Sequence, residues 1–267
     1  MQMQDFAYLS ASKRTPLWYR LAMVLFAGIF LFSAMMLGER LLGDTQAENE
    51  FACLQALITV DAPPAQSAAD SNASQQESKF AQLYEKNPDF VGWLSISDTT
   101  LSYPVMQRPQ EKDYYLRHSF EGEYSIYGVP YLDEECTLQP QSTNLIVYGH
   151  NMKTGIIFGC LTNYKEKSYY TQHPVITFDT LYGSAEYEVF AAFAIDVTQD
   201  NTFAYNGFIT AQSEKQFNAF VEQCLRRSDV NSGITPVYGD SLLTLSTCEY
   251  STSDGRYVVV ARKRNAD

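Results

Sequence analysis

The sequence predicts a mostly β domain, a barrel or a sandwich, standing behind one N-terminal membrane-spanning helix. Three observations carry this. Short apolar segments with turn residues between them recur eight or nine times over about 185 residues. Aromatic residues make up 14% of the chain, with 19 Tyr and 16 Phe, which suits strands better than a helical bundle. And residues 21–38, LAMVLFAGIFLFSAMMLG, run without a single charge.

The uncharged run comes first. Extended by Leu17 to Tyr19, it is long enough at 1.5 Å per residue to cross a hydrocarbon core of roughly 30 Å. It exceeds the apolar core of a signal peptide, and SAMMLGER offers no A-x-A cleavage pattern, so 17–38 reads as an uncleaved anchor. Lys13, Arg14 and Arg20 precede it, while Glu39, Asp44, Glu48 and Glu50 follow. The positive-inside bias then makes residues 1–16 a cytoplasmic tail and places the rest outside a cell membrane crossed once. Residues 39–78 read as an extracellular linker. Within it DAPPAQSAADSNASQQES, 61–78, has no large apolar residue to offset the entropy of ordering and reads as a flexible spacer.

The compact domain, 79–267, begins with KFAQLYEKNPDFVGWLSI. Phe80, Leu83 and Tyr84 make a short helical pattern, Pro88 stops it, and a strand follows from Val91 to Ile96. The further strand-like segments are LSYPVM, DYYLRHSF, YGVPYL, NLIVYGH, PVITF, EYEVFAAFAIDV, SLLTLSTC and RYVVVARK. One helix interrupts them, SEKQFNAFVEQCLRR. Ser213 and Gln216 have capping-box spacing, and Phe217, Phe220, Val221, Cys224 and Leu225 form an apolar stripe at helical spacing. Cys224 therefore reads as core.

The formal charge of −12 argues against a nucleic-acid partner, which calls for a basic face. Five cysteines leave at least one unpaired within the chain. Neither C-x-x-C nor H-E-x-x-H occurs, so no metal site is expected. Walker and dinucleotide glycine fingerprints and the G-x-S-x-G elbow are also absent from the sequence, and no cofactor is expected. Cysteine–histidine chemistry remains.

Three histidines limit the choice. His150 ends the strand NLIVYGH, beside Gly149 and before the polar turn NMKTG. His118 sits inside a strand pattern, and His173 precedes Pro174 in a surface connection. Cys248 closes LLTLSTC before the polar loop EYSTSDG, and Arg256 opens RYVVVARK. Paired antiparallel, these two strands bring Cys248 and Arg256 together at one end of the fold, where His150 can converge. A thiol nucleophile needs a partner for its thiolate, an imidazole supplies the proton for a leaving amine, and a guanidinium can hold a developing oxyanion. A cysteine at a strand end is more often simply a small buried residue, and an arginine there a solvated charge. Spacing leaves both readings open.

TLSTCEY, followed eight residues after the cysteine by RYVVVARK, resembles the signature of sortases, membrane-anchored cysteine transpeptidases of Gram-positive bacteria. NLIVYGHNM resembles their histidine segment, and DFVGWLSI, LSYPVMQ and DYYLRHSF resemble the opening strands of class B members. The likeness covers roughly residues 79–264 and includes a helix before the late strands. It implies a closed eight-stranded sortase-type β-barrel with Cys248 as nucleophile, His150 as general acid/base and Arg256 as oxyanion or substrate stabiliser. It implies a donor, an exported protein with a C-terminal sorting signal of the Asn/Ser-Pro-x-Thr type, cleaved after Thr through a thioester. The implied acceptor is an amine of a lipid-linked peptidoglycan precursor. Substrate contacts are implied for Leu116, Tyr148, Thr198, Phe203, Ser246 and Glu249, with the Glu249 backbone N–H as a second oxyanion donor.

The sequence departs from the class pattern at Lys112, where many members carry Asn, and at Thr202 and Phe203, where some place Tyr and Ile. Cys136 and Cys160 read as structural, with a disulfide between them left open, and Cys53 has no evident role. Three rivals stay in view: a pilin-polymerising enzyme with a Lys acceptor, a hydrolytic cysteine peptidase, and a non-enzymatic wall-associated binding module.

Overall fold

The computed structural model describes residues 17–60, 72–198, 203–249 and 254–264, and the chain divides into two units, Met1–Gln46 and Ala47–Asp267. The first unit holds the start of helix α1 (Leu17–Val60). Its stretch Leu17–Gly38, 22 residues, is long and apolar enough to cross a membrane, at a length of about 33 Å, and it leaves Leu21, Phe26 and Phe30 exposed.

In the second unit the remainder of α1 is amphipathic. Ala47, Phe51, Leu54 and Ile58 recur at steps of four, three and four residues, which sets them on one helix face, and all four are buried. Phe51 meets Tyr103 edge-on with ring centroids 4.8 Å apart. Helix α2 spans Asn72–Lys86. The expected linker over 39–78 therefore differs from what is found. Residues 47–58 join the core through the stripe Ala47, Phe51, Leu54 and Ile58, which has a surface to cover, and 72–78 are helical. Residues 61–71 of the expected spacer lie outside the described residues.

Eight strands close a barrel: β1 (Phe90–Ser95), β2 (Ser102–Met106), β3 (Tyr131–Leu132), β4 (Asn144–Tyr148), β5 (Val175–Thr180), β6 (Gly183–Asp196), β7 (Leu242–Glu249) and β8 (Gly255–Lys263), in spatial order β1-β2-β3-β4-β7-β8-β6-β5. Most neighbours are antiparallel, as expected. The pairs β2–β3 and β4–β7 are parallel. The second matters for the site, because parallel neighbours end at the same rim.

DYYLRHSF is not a strand. Tyr114–Leu116 form a 3₁₀ turn preceded by Asp113 at φ 56°, and His118 makes only an isolated bridge to Tyr124. The apolar residues there are consecutive rather than alternating, so an extended segment could not send them all to one face.

The barrel interior is one apolar cluster that includes Leu94, Val105, Ile146, Phe178, Leu245 and Val259. A short helix α3 (Lys167–Gln172) precedes β5. Helix α4 (Glu214–Arg227) builds a second cluster, laying Phe217, Phe220, Val221 and Cys224 against Phe190, Phe193, Val258 and Val260 of β6 and β8. Each aromatic buried there contributes about 2 kcal/mol. The helix begins as its sequence predicts: Ser213 Oγ accepts from the Gln216 N–H at 3.3 Å, and Gln216 Oε1 accepts from the Gln212 N–H at 2.8 Å. All five cysteines are unpaired, Cys136, Cys160 and Cys224 being buried and Cys53 exposed.

Candidate active site

Three neighbouring strands, β4, β7 and β8, present their ends at one rim of the barrel. Tyr148 at the end of β4 lies opposite Ser246 of β7, and two residues on, Cys248 lies directly opposite Arg256 of β8. Strand side chains alternate, so Ser246 and Cys248 share a face. That face lines a cleft of about 650 Å³ whose walls also carry His150 and Arg256. Thr247, pointing the other way, is buried and donates through Oγ1 to the Gly149 carbonyl at 2.7 Å.

His150 reaches the cleft because β4 stops short of it. A Cβ on Gly149 would stand 2.8 Å from the Phe158 ring, so only glycine lets the chain pass this close to the segment 157–158. The Phe158 N–H then donates to the His150 carbonyl at 3.0 Å. The imidazole Nε2 lies 2.8 Å from the Leu116 carbonyl oxygen. A carbonyl only accepts, so Nε2 carries the proton and Nδ1 holds the lone pair of the neutral ring. Burial pulls the His150 pKa below the ordinary histidine value; the Leu116 carbonyl opposes this, and the nearby Arg117 charge adds to it. His150 is therefore a neutral base near pH 7.

Cys248 is half-buried and its backbone carbonyl accepts from Asn151 Nδ2 at 2.8 Å. Arg256 donates through one guanidinium N–H to the Gly255 carbonyl at 2.9 Å, which orients the group beside the thiol's strand. Tyr205 closes the wall: its hydroxyl shares a 2.8 Å hydrogen bond with Ser246 Oγ. Burial raises the Tyr205 pKa, and the Ser246 bond and the Arg256 charge partly offset that rise. On the far side Tyr148 donates to Asp133 at 2.9 Å and Tyr131 to Asp113 at 2.7 Å, with the two rings 5.4 Å apart. Burial and the adjacent carboxylate push both phenols upward, so both rings stay neutral and present aromatic surface to the cleft.

Of the residues expected at the site, His150, Cys248, Arg256, Leu116, Tyr148, Phe203 and Ser246 line this one cleft. Thr198 is not among its lining residues; it is exposed, and its hydroxyl is taken up by Asp196 at 2.6 Å. The Glu249 side chain and Thr202 lie outside the described residues. Lys112 does line the cleft, with its ammonium 3.0 Å from Glu134. His118 stacks on Tyr114 with centroids 3.8 Å apart, and His173 bonds the Ser97 carbonyl at 3.0 Å. Asp113, Arg117 and Tyr205 also line the cleft, and Asn151 adjoins it through the Cys248 carbonyl. Asp113, Arg117 and Asn151 fall inside the segments DYYLRHSF and NLIVYGHNM, but the sequence assigned none of the four a role. Burial raises the Cys136 thiol to about 12 and raises Cys160 as well, which leaves both poor nucleophiles. Among the described residues there is no group of three or more His, Cys, Asp or Glu placed to hold a metal ion.

Residues 94–264 match the sortase domain family. The chain is 35% identical over 186 residues to sortase B of Staphylococcus aureus, covering 69% of this chain and 74% of that one. It is 30% identical over 235 residues to sortase B of Listeria monocytogenes, covering 87% and 91%. Among solved structures it resembles a Staphylococcus aureus sortase B–substrate complex with a TM-score of 0.72 at 28% identity, over 85% of this chain and 100% of that one.

Proposed function

The chain belongs to the sortase family, in its B class, and is a cysteine transpeptidase of the sortase kind; from that premise we propose how its cleft works and on what. The donor is an exported protein with a C-terminal sorting motif of the Asn/Ser-Pro-x-Thr type, and the acceptor is an amine of a lipid-linked peptidoglycan precursor. The observation that carries this reading is the convergence of Cys248, Arg256 and His150 on one cleft.

In this mechanism His150 Nδ1 takes the Cys248 proton as sulfur attacks the carbonyl after Thr. The oxyanion forms beside Arg256, whose guanidinium needs no proton transfer to stabilise it, with the Glu249 N–H as a second donor. The imidazolium then protonates the departing amine, the C–N bond breaks, and a thioester remains. The acceptor amine loses a proton to His150 as it attacks the thioester, which releases Cys248 and leaves a new amide. Burial of His150 supports this role, since a ring that is neutral at rest can receive the first proton. The aromatic wall of Tyr131 and Tyr148 supports binding of the motif's proline by flat apolar contact.

The helix Leu17–Gly38 anchors the enzyme in the cell membrane, with residues 1–16 cytoplasmic and the catalytic unit outside. The uncharged run and the preceding Lys13, Arg14 and Arg20 support this orientation. The deciding experiment incubates the full chain in detergent micelles with an Asn-Pro-x-Thr peptide and either a peptidoglycan-type amine or a pilin-type lysine peptide, and reads product masses. Transfer to the first amine is expected. Transfer only to lysine makes the chain a pilin polymerase, and free acid unaffected by either amine makes it a hydrolase. An unchanged peptide overturns the motif assignment.

A further inference from the structure

Strand β4 parts from β7 one residue before His150. The last backbone rung between them runs from the Gly149 N–H to the Ser246 carbonyl, 3.2 Å. On one strand of a parallel ladder the donors repeat every two residues, so the next rung donated from the β4 side would join the Asn151 N–H to the Cys248 carbonyl. The chain has turned away by then. Residue 151 is bridged antiparallel to Ile157, and the Phe158 N–H donates to the His150 carbonyl. The missing rung is made by a side chain instead: Asn151 Nδ2 donates to the Cys248 carbonyl at 2.8 Å.

We propose that Asn151 is a positioning residue for the cysteine–histidine pair, its side-chain amide replacing a backbone rung so that β4 can turn His150 into the cleft without releasing the nucleophile's strand. The proposal rests on the transpeptidase reading for the reaction it serves. One planar peptide carries the Cys248 carbonyl on one edge and the Glu249 N–H on the other. Holding the first fixes the direction of the second, and with it the Cα from which the thiol projects. Asn151 also adjoins His150 in the chain, so one side chain ties the base's backbone to the nucleophile's backbone. The Thr247–Gly149 bond joins the same strands one residue earlier on the opposite face and does not reach the Cys248 carbonyl.

The test uses the full chain in detergent micelles with three variants. Asn151→Leu keeps the volume and loses the donor, Asn151→Asp sets an acceptor against an acceptor, and Asn151→Gln keeps the amide. Kinetics with an Asn-Pro-x-Thr peptide, the rate of Cys248 alkylation by iodoacetamide at pH 7 followed by mass spectrometry, and thermal unfolding are read together. Asn151→Leu is expected to lose roughly tenfold to a hundredfold in kcat at nearly constant KM, the scale of a displaced reacting group. Its Cys248 alkylation is expected to slow about threefold as the imidazole loses register with the thiol. Asn151→Asp should lose more, Asn151→Gln should recover much of the loss, and the unfolding midpoint should hold in all three. Wild-type kcat and alkylation in Asn151→Leu would overturn the proposal, as would losses that merely track a fallen midpoint. If the unsubstituted chain leaves the peptide intact, the motif assignment fails by itself and the alkylation rates still decide the role of Asn151.

Discussion

Tyr205 and Ser246 share a buried hydrogen bond, 2.8 Å between their hydroxyl oxygens, in the lining of the cleft. The tyrosine comes from the 3₁₀ turn Tyr205–Gly207 that leads toward α4, and the serine from β7, so the bond pins that lead-in to the nucleophile's strand. Tyr205→Phe leaves a buried serine oxygen without this partner and should cost about 1–2 kcal/mol in denaturant unfolding. Because residues 203–206 line the cleft, KM for the peptide should rise more than kcat falls. Unchanged stability and KM would contradict the pinning role.

Cys248→Ala and His150→Ala should each abolish acyl transfer while keeping the unfolding midpoint near that of the parent, since both side chains stand at a rim rather than in the barrel interior. Arg256→Lys should lose most activity too, because an ammonium cannot reproduce the planar fork beside the reacting carbonyl. Product mass and a thermal melt on each variant decide this, and full turnover in any of the three removes that residue from the mechanism.

The buried state of His150 makes stability depend on pH. Its folded pKa lies below the ordinary value of about 6.5, so the unfolded chain takes up the proton first. The stability tied to this residue is fully present above that ordinary value and is lost as pH falls from it through the folded pKa. His150→Gln should therefore be less acid-sensitive than the parent in melts compared between pH 7 and pH 5. In NMR titration, Arg117→Gln should move the His150 midpoint upward, since a nearby positive charge has been removed. A midpoint that stays or falls would show that Arg117 does not act on the ring.

Gly128 supports the same histidine from behind. Its φ is +61°, and a Cβ there would stand 2.6 Å from the Leu116 carbonyl oxygen that accepts from His150. Gly128→Ala adds left-handed strain to a clash with backbone, at about 1–3 kcal/mol, and displaces the acceptor that holds the ring. The expected result is a lowered melting temperature together with a changed His150 titration. A shift in melting alone would mean that the Leu116 carbonyl does not set the ring's position.

Phe51 tests the packed end of α1. It is 6% exposed and edge-on to Tyr103, so Phe51→Ala should destabilise the second unit by about 3–5 kcal/mol. A chain truncated to 79–267 should be less stable than one starting at Ala47, although both retain all eight strands. Equal melting temperatures would mean that the stripe of Ala47, Phe51, Leu54 and Ile58 adds nothing to the barrel.

That boundary also marks where sequence reading succeeded and where it stopped. β7, β8 and α4 were legible because their periods of two and 3.6 are local, and Ser213 announces its helix by chemistry three residues long. The stripe at 47–58 has a helical period as well, but it follows a continuous apolar run and precedes a polar one, which hid it. DYYLRHSF misled because aromatic residues suit strands, whereas three apolar residues in succession, Tyr114, Tyr115 and Leu116, suit a turn. Spacing made Cys248, His150 and Arg256 candidates, and their motif resemblance raised them. Asn151, Arg117 and Tyr205 matter only through partners 30 to 100 residues away, and a single sequence carries no sign of such pairs.

The parallel pairing of β4 with β7 has a consequence for how the molecule is made. Residues 144–148 and 242–246 are almost a hundred positions apart, so their ladder closes a long loop against chain entropy, the kind of contact that forms late and slowly. Until it forms, β4 and β6 stand as open sheet edges, because β7 and β8 are what join them. A nascent chain that has not released its last strands holds the histidine but no nucleophile, and no cleft to carry a reaction. Activity thus arrives only with completion of the barrel, in the same step that removes its sticky edges.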